Sequence, residues 1–323
     1  MTDDTVPTPS PWHPGEVALQ RERGVSERMA VIGRKVLRPF LTEEHRAFYP
    51  LLPFVVLGAV DPQGAPWATL RAGHPGFLHS PDPSELALEV RRDPQDPADA
   101  GLGDGDAVGL LGIDLTTRRR NRLNGTVRRQ GDAAFSIAVV QGFGNCPRYI
   151  QARTPAFSRD PSQLPATTPV VSDHLDATAR RMIREADTFF VASYADVPGG
   201  ERQVDVSHRG GKPGFVRTDP GGGLTVPDFS GNMFFNTLGN FAINPRAGLV
   251  FMTPETGDLL QITGRVSFVD DPRALARFEG AERLWKLHPE QVVRRPAALP
   301  IRWSPGADHL SPFSLRTGDW GTG

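Results

Sequence analysis

The chain has 323 residues, with 36 basic and 37 acidic side chains and a formal charge of −1. That balance gives no electrostatic basis for general nucleic-acid binding. The hydrophobic share of 38% is enough for buried cores, and no apolar run approaches the ~20 residues that span a bilayer. Glycine (34) and proline (31) together make up a fifth of the chain. This is below the roughly 25–30% typical of low-complexity sequence, so it points to a folded, turn-rich protein of about two domains. The lone cysteine, Cys146, excludes an internal disulfide and a multi-thiolate metal site and reads first as a packing residue. A cytoplasmic location is the simplest expectation.

In chain order, the proline-rich residues 1–14 read as a disordered lead. Val25, Met29, Ile32 and Val36 predict a helix over 16–37, ended by Pro39. Residues 54–60, 67–70, 85–90, 107–115, 123–128 and 135–141 are short β-rich runs punctuated by Gly, Pro and Asp. Residues 154–172 look like an interdomain connection. Ser172 can cap a helix running to about Asp187. Further β-rich runs follow at 188–194, 203–208, 215–217, 224–227, 247–253 and 259–268. Leu275, Phe278, Glu282 and Trp285 predict a last helix over 273–287, and 299–303 closes the chain as a strand. The organisation expected is a lead and helix over 1–45, a first β-rich unit over 46–153, a link over 154–171 and a second unit over 172–323.

The two β-rich regions resemble each other. Gly73-His74-Pro75-Gly76-Phe77 matches Gly211-Lys212-Pro213-Gly214-Phe215, 138 positions on, and Arg71 falls on Arg209 at the same offset. Leu123 to Val127 matches Ile262 to Val266 at 139, and Phe54 falls on Phe189 at 135. So long a period means a domain repeated in tandem, not a solenoid. The copies are unequal. Gly231 to Asn240 in the second copy reads as a polar-decorated helix, where the first copy has acidic loops around Asp93, Asp96 and Asp104. If the fold binds a ligand at that helix, only the second copy has kept the site.

Familiar motifs are absent. Gly101 to Gly105 is glycine-rich, but Asp104 and Asp106 would repel a pyrophosphate and no helix follows. There is no phosphate loop, no His-Glu-x-x-His and no Gly-x-Ser-x-Gly elbow. The strand carrying Ser207, His208, Arg209 and Gly210 would deliver a hydroxyl, an imidazole and a guanidinium, or would simply be a hairpin with a solvated Arg. Asn236, Thr237 and Asn240 on the following helix suit a phosphate at its first turn, or are capping and surface groups. Gln261 is a polar residue in an apolar strand, and alternation alone could turn it to solvent. Arg118 to Arg122 is either a solvated strand edge or a cationic rim for an anionic substrate.

On these residues the sequence resembles the pyridoxamine 5′-phosphate oxidase-related, FMN-binding split β-barrel family, in particular a two-repeat bacterial subgroup. The resemblance rests on residues 189–193, 206–211 and 232–246, continues through 257–265, and extends more weakly to 112–122 and 143–147 of the first copy. It implies a mainly β protein with flanking helices, built as tandem split β-barrels, with FMN as cofactor and an oxidoreductase activity on a small molecule supplied by an electron donor. It also implies a pseudo-dimer within one chain, open to homodimerisation, with no nucleic acid or membrane partner. Ser207, His208, Arg209 and Gly210 would lie beside the flavin, Asn240 and Gln261 would contact the cofactor, and Trp303 would stand near it. Asn236 and Thr237 occupy the place of the oxidases' Arg-Lys phosphate pair, and the terminal Arg-x-His substrate motif has no counterpart, so pyridoxamine phosphate oxidation itself is not expected. Arg71, Asn124 or Asn145 of the first copy could line the opposite wall. The alternatives are a flavin or haem carrier without turnover, with His208 as the first candidate haem ligand, and a structural protein whose site has decayed.

Overall fold

The β-rich runs, broken by Gly, Pro and Asp turns, form two antiparallel sheets whose central strands are buried on both faces. The computed structural model describes residues 10–144, 146–197, 200–306 and 308–320. Helices α1 (Pro14–Glu22), α2 (Ser26–Val36) and α3 (Glu43–Phe48) precede strands β1 (Phe54–Val60), β2 (Pro66–Ala72), β3 (Leu78–His79), β4 (Glu85–Leu88), β5 (Ala107–Asp114), β6 (Arg119–Arg128) and β7 (Phe135–Gly144). Strands β8 (Arg153–Phe157) and β9 (Val170–Ser172) and helix α4 (Ala177–Glu185) come next. The second half continues with β10 (Thr188–Asp196), β11 (Arg202–Gly210), β12 (Arg217–Thr218), β13 (Leu224–Phe229), α5 (Asn236–Ile243), β14 (Arg246–Thr253) and β15 (Asp258–Phe268). It ends with α6 (Pro272–Ala276), β16 (Ala281–Arg295), β17 (Ile301–Pro305) and α7 (Pro312–Leu315). The chain is mainly β with flanking helices, arranged as two antiparallel sheets of matching strand order.

The first sheet runs β2-β1-β5-β6-β7-β4-β3 and the second β11-β10-β14-β15-β16-β13-β12, the same path traced with elements nine strands later. Val55 pairs with Arg71 and Gly112, and Phe189 with Arg209 and Phe251. Val55 is therefore the positional equivalent of Phe189. The sequence comparison set Phe54 against Phe189, one residue off, and in a strand one residue is the difference between opposite faces. Val55 and Leu57 enter the first core and Phe189 and Val191 the second, while Phe54, Val56, Phe190 and Ala192 fill a third core between the sheets. Each large side chain buried in these cores contributes about 1.5–3 kcal/mol. The sheets meet most closely at Gly109, where a Cβ would fall 2.7 Å from the Val204 carbonyl oxygen, and at Gly248, where it would fall 2.3 Å from that of Pro66.

Five expectations change. The helix expected over 16–37 is two helices, separated at Gly24 (φ +65°). Of the expected disordered lead, residues 1–9 lie outside the described residues, but Trp12 and His13 are buried, and the Trp12 indole donates to the Met29 carbonyl at 2.7 Å. The interdomain connection is not free chain: β8 pairs with β17, and β9 with β16. Asp176, not Ser172, caps α4, accepting from the Ala179 N–H at 2.7 Å. The last expected helix stops at α6, and residues 281–295 form a long strand between β13 and β15. There, unpaired sheet edges on both sides outweigh the helical spacing of Phe278, Glu282 and Trp285. No helix among the described residues is long and apolar enough to cross a membrane.

Candidate functional site

A cleft between the second sheet and the end of the first encloses about 860 Å³ of atom-free space, counted out to its open mouth. Strand β11, the 230–235 segment and the first turn of α5 form one side. Arg120, Arg122, Cys146, Arg148 and Tyr149 of the first half form the other. Alternation along β11 turns Ser207 to Thr237 of α5 and Arg209 to Asp228 of β13, while His208 faces the core between the sheets and packs edge-on against Phe190. Alternation along β6 likewise brings Arg120 and Arg122 to the cleft. Arg118 instead donates to the Ile150 carbonyl at 3.0 Å, and Arg119 pairs with Glu44 at 2.8 Å and lies over Phe48.

Arg122 is the hub. Its guanidinium crosses from the first sheet, donates to Ser207 Oγ and to Asn236 Oδ1 (3.1 Å), and pairs with Asp205 at 3.4 Å. Ser207 Oγ is 2.8 Å from Thr237 Oγ1, and Asn236 Nδ2 donates to Glu16 Oε1. Asn240 is buried behind them, donating to Asp205 Oδ2 (3.2 Å) and Ser193 Oγ (3.0 Å), and Asn124 donates to Asp205 Oδ1 at 2.8 Å. The Arg122 Nε finds no partner among the described residues. Helix α5 has no side-chain cap; Phe235 precedes it in the left-handed conformation (φ +63°), and its first residues line the cleft. The first N–H groups of such a helix have no intrahelical acceptor and favour an anion.

Charge in the cleft is unevenly matched. Arg209 pairs with Asp228 at 3.3 Å. Arg120 donates to the Cys146 carbonyl at 2.8 Å but has no carboxylate partner among the described residues. Burial, together with the Arg122 and Arg209 charges, pulls the Arg120 guanidinium down to about 9. Burial and then the charges of Arg120, Arg209 and Arg153 hold His208 well below the usual histidine range, so its imidazole is neutral, and its Nε2 is buried without a partner. Burial raises Asp228 despite its Arg209 partner. Burial, reinforced by Asp205, pushes Glu16 up to about 8. An anion placed here would relieve the mutual repulsion of three guanidiniums. Tyr149 and Phe229 stack at the same cleft, with ring centroids 5.1 Å apart and 27° between planes, giving a flat apolar wall beside the charges.

Six of the nine residues expected at a site line this cleft: Ser207, His208, Arg209, Gly210, Asn236 and Thr237. Asn240 supports it from behind through Asp205. Gln261 lies elsewhere, donating to the Ala68 carbonyl (3.0 Å) and Asp96 Oδ1 (2.9 Å), and Trp303 packs edge-on against Phe54 in the core between the sheets. The resemblance implies that both side chains enter the second sheet's own site, whereas β15 turns Gln261 toward the first sheet. Arg71 is buried among Asp93, Asp96 and Asp99, and Asn145 lies outside the described residues. At Gly210 the close approach is made by the chain itself, since a Cβ would lie 2.0 Å from the Tyr149 carbonyl oxygen. Arg122, Arg120 and Glu16 were missed as individual site residues. The Arg-x-Arg spacing in β6 was the available signal. Among the described residues no cluster of three or more His, Cys, Asp and Glu could hold a metal ion.

No family model and no curated protein matches the sequence. Among solved structures, a Lactobacillus delbrueckii protein provisionally described as a pyridoxamine 5′-phosphate oxidase is 20% identical, with a TM-score of 0.27, covering 33% of this chain and 95% of that one. HupZ from Group A Streptococcus is 15% identical at a TM-score of 0.26, covering 32% of this chain and 98% of its own. HutZ, the haem storage protein from Vibrio cholerae, is 14% identical at a TM-score of 0.27, covering 38% of this chain and 95% of its own. Each of these matches covers well under half of this chain.

Proposed function

We propose that the cleft binds FMN, or a cofactor of the same planar, phosphate-bearing class, and that the protein is a flavin-dependent oxidoreductase acting on a small molecule. The carrying observation is Arg122, which reaches across from the first sheet to Ser207 and the first turn of α5. It supplies in trans the guanidinium that Asn236 and Thr237 do not provide from the second half. The donor set fits a phosphate: the free Arg122 Nε, the Ser207 and Thr237 hydroxyls, and the unpaired N–H groups opening α5. Arg209 and Arg120 would place positive charge along the rest of the ligand, and the Tyr149–Phe229 wall would meet an apolar ring face. Bound FMN would supply electron transfer between a donor and the substrate. The chain's residues would hold it, orient it and favour its reduced, anionic form. The two sheets, with one strand path each, are read as two copies of one barrel that build this single site together.

Titration with FMN and with riboflavin, read by flavin fluorescence, tests this. FMN binding at least tenfold tighter than riboflavin is expected, because the phosphate subsite carries the affinity. A colourless purified protein that binds neither overturns the reading and leaves a structural role. A second reading, a haem carrier, is favoured by the neutral, unpartnered His208 imidazole, buried in the core between the sheets on a strand that lines the cleft. A Soret band after haem addition that is lost in His208→Ala would support it in place of the first.

A further inference from the structure

A second cleft is lined by Leu70, Arg71, Asp93, Arg159, Leu259 and Arg295, among others. Position for position it is the counterpart of the first. Leu70, Arg71 and Ala72 stand where His208, Arg209 and Gly210 stand 138 positions later, and Leu259 stands 139 positions after Arg120. Behind it, Thr69 corresponds to Ser207 and Gln261 to Arg122. Thr69 pairs opposite Leu57 as Ser207 does opposite Val191, and Gln261 opposite Val250 as Arg122 does opposite Leu111. The difference lies in what these groups surround. In the first cleft they face the opening turn of α5. In the second, the chain before the 3-10 turn Pro97–Gly101 sets the Asp96 carboxylate among them.

That carboxylate is held from all sides. Asp96 Oδ2 accepts from Thr69 Oγ1 and Arg71 Nη1 and pairs with Arg295 Nη1 at 3.1 Å. Asp96 Oδ1 accepts from Gln261 Nε2 at 2.9 Å and from the Ala98 N–H at 3.0 Å. Its side chain has no solvent exposure. Burial pushes its pKa up, but the Arg71 and Arg295 charges together with the Gln261 and Thr69 hydrogen bonds bring it down to about 2. Around it Arg71, Arg92 and Arg295 interlock with Asp93, Asp96 and Asp99, three charges of each sign.

We propose that the subsite behind the second cleft, reached past Arg71 and Arg295, is an oxyanion site of the same design as the first, kept filled by the chain's own Asp96 carboxylate. Its ligand class is a small carboxylate, and the native chain has closed it to external anions. The comparison between clefts rests on the phosphate-subsite reading given above; the donors gathered around Asp96 do not depend on it.

Asp96→Ala removes the carboxylate and leaves one guanidinium charge unmatched, facing a void reached through the cleft at Arg71 and Arg295. The test is the thermal unfolding midpoint of wild type and Asp96→Ala, with formate or acetate replacing chloride at constant ionic strength. The variant is expected to unfold at a lower temperature, and tens of millimolar formate or acetate should raise its midpoint by roughly 2–4 °C. The wild-type midpoint should stay unmoved. Equal shifts in the two proteins, or none in the variant, overturn the proposal. If Asp96→Ala does not accumulate in folded form, its refolding yield from urea across the same anion series is the readout, beside Asp96→Asn, which fills the space without the charge. Rescue confined to Asp96→Ala supports the proposal, and failure of formate and acetate to rescue it refutes it. No flavin enters the assay, so this result and the FMN titration can fail independently.

Discussion

At the scale of single residues, the molecule depends on guanidiniums whose partners lie far off in sequence. Arg122 meets Ser207, Asp205 and Asn236, none of them within 80 positions of it. Its removal leaves Asp205 buried with only the Asn124 and Asn240 amides as donors, so Arg122→Ala should cost about 3–5 kcal/mol of stability, measured by urea unfolding. Arg122→Lys keeps the charge but loses the planar fork. It should therefore weaken FMN binding by about tenfold or more, the loss of a hydrogen bond to a charged group, while unfolding closer to wild type. Fluorescence titration should also show Arg209→Ala and Thr237→Glu weakening FMN binding, and Arg71→Ala sparing it, since Arg71 lines the other cleft. Glu16 adds a pH dependence. Its carboxyl is raised to about 8 in the folded chain against about 4.5 unfolded, so the folded state holds the extra proton between those values. Its contribution is complete below the lower value and is lost as pH rises through the upper one. The unfolding free energy of Glu16→Gln should fall less than that of wild type between pH 5 and pH 8. Equal slopes would mean that Glu16 is ionised in the fold. Sequence reading reached Ser207 and Thr237 because each is legible within its own strand or helix. It reached Arg122 only within the Arg118–Arg122 run, as one of two readings, because nothing local shows which sheet its side chain will enter.

At the scale of elements, α1 lies on α5 with almost no space between main chains. A Cβ on Gly239 would stand 2.7 Å from the Glu16 amide nitrogen and 2.9 Å from its Cα, and both of these are backbone atoms with little freedom to yield. Gly239→Ala should therefore cost about 1–3 kcal/mol in urea unfolding. It should also weaken FMN binding, because displacing α1 withdraws Glu16 from Asn236. Most strands were legible from β-rich composition and turn residues, as in residues 54–60, which the structure makes β1. The turn at Pro75-Gly76 and its counterpart at Pro213-Gly214 were also legible, with Gly76 and Gly214 both at positive φ. β16 was not, because Leu275, Phe278, Glu282 and Trp285 satisfy a helical period. What decides for a strand is the open edges of β13 and β15, which no local window contains. The 154–172 stretch failed for a similar reason: β8 finds its partner β17 about 145 residues later.

At the scale of the whole molecule, two sheets with one strand order hold two clefts of unequal fate. The inequality was legible, since the acidic stretch around Asp96 stands where α5 stands in the other half. The crossing of partners was not: Gln261 serves the first sheet's cleft and Arg122 the second's, because each β6-type strand faces its neighbour's site. Calorimetric titration of the full chain should saturate at one FMN per chain. Saturation at two would show that Asp96 does not close the second cleft.

The contacts at Gly109 and Gly248 have a consequence for ligand traffic. Main chain rests on main chain at both points, so the cleft cannot widen by the sheets parting without losing the core between them. Entry and exit must run through the mouth, where Gly231, Asn232 and Met233 form one lip. Residence time should then be governed there: a bulky residue at 231 would alter association and dissociation rates together and leave their ratio nearly unchanged.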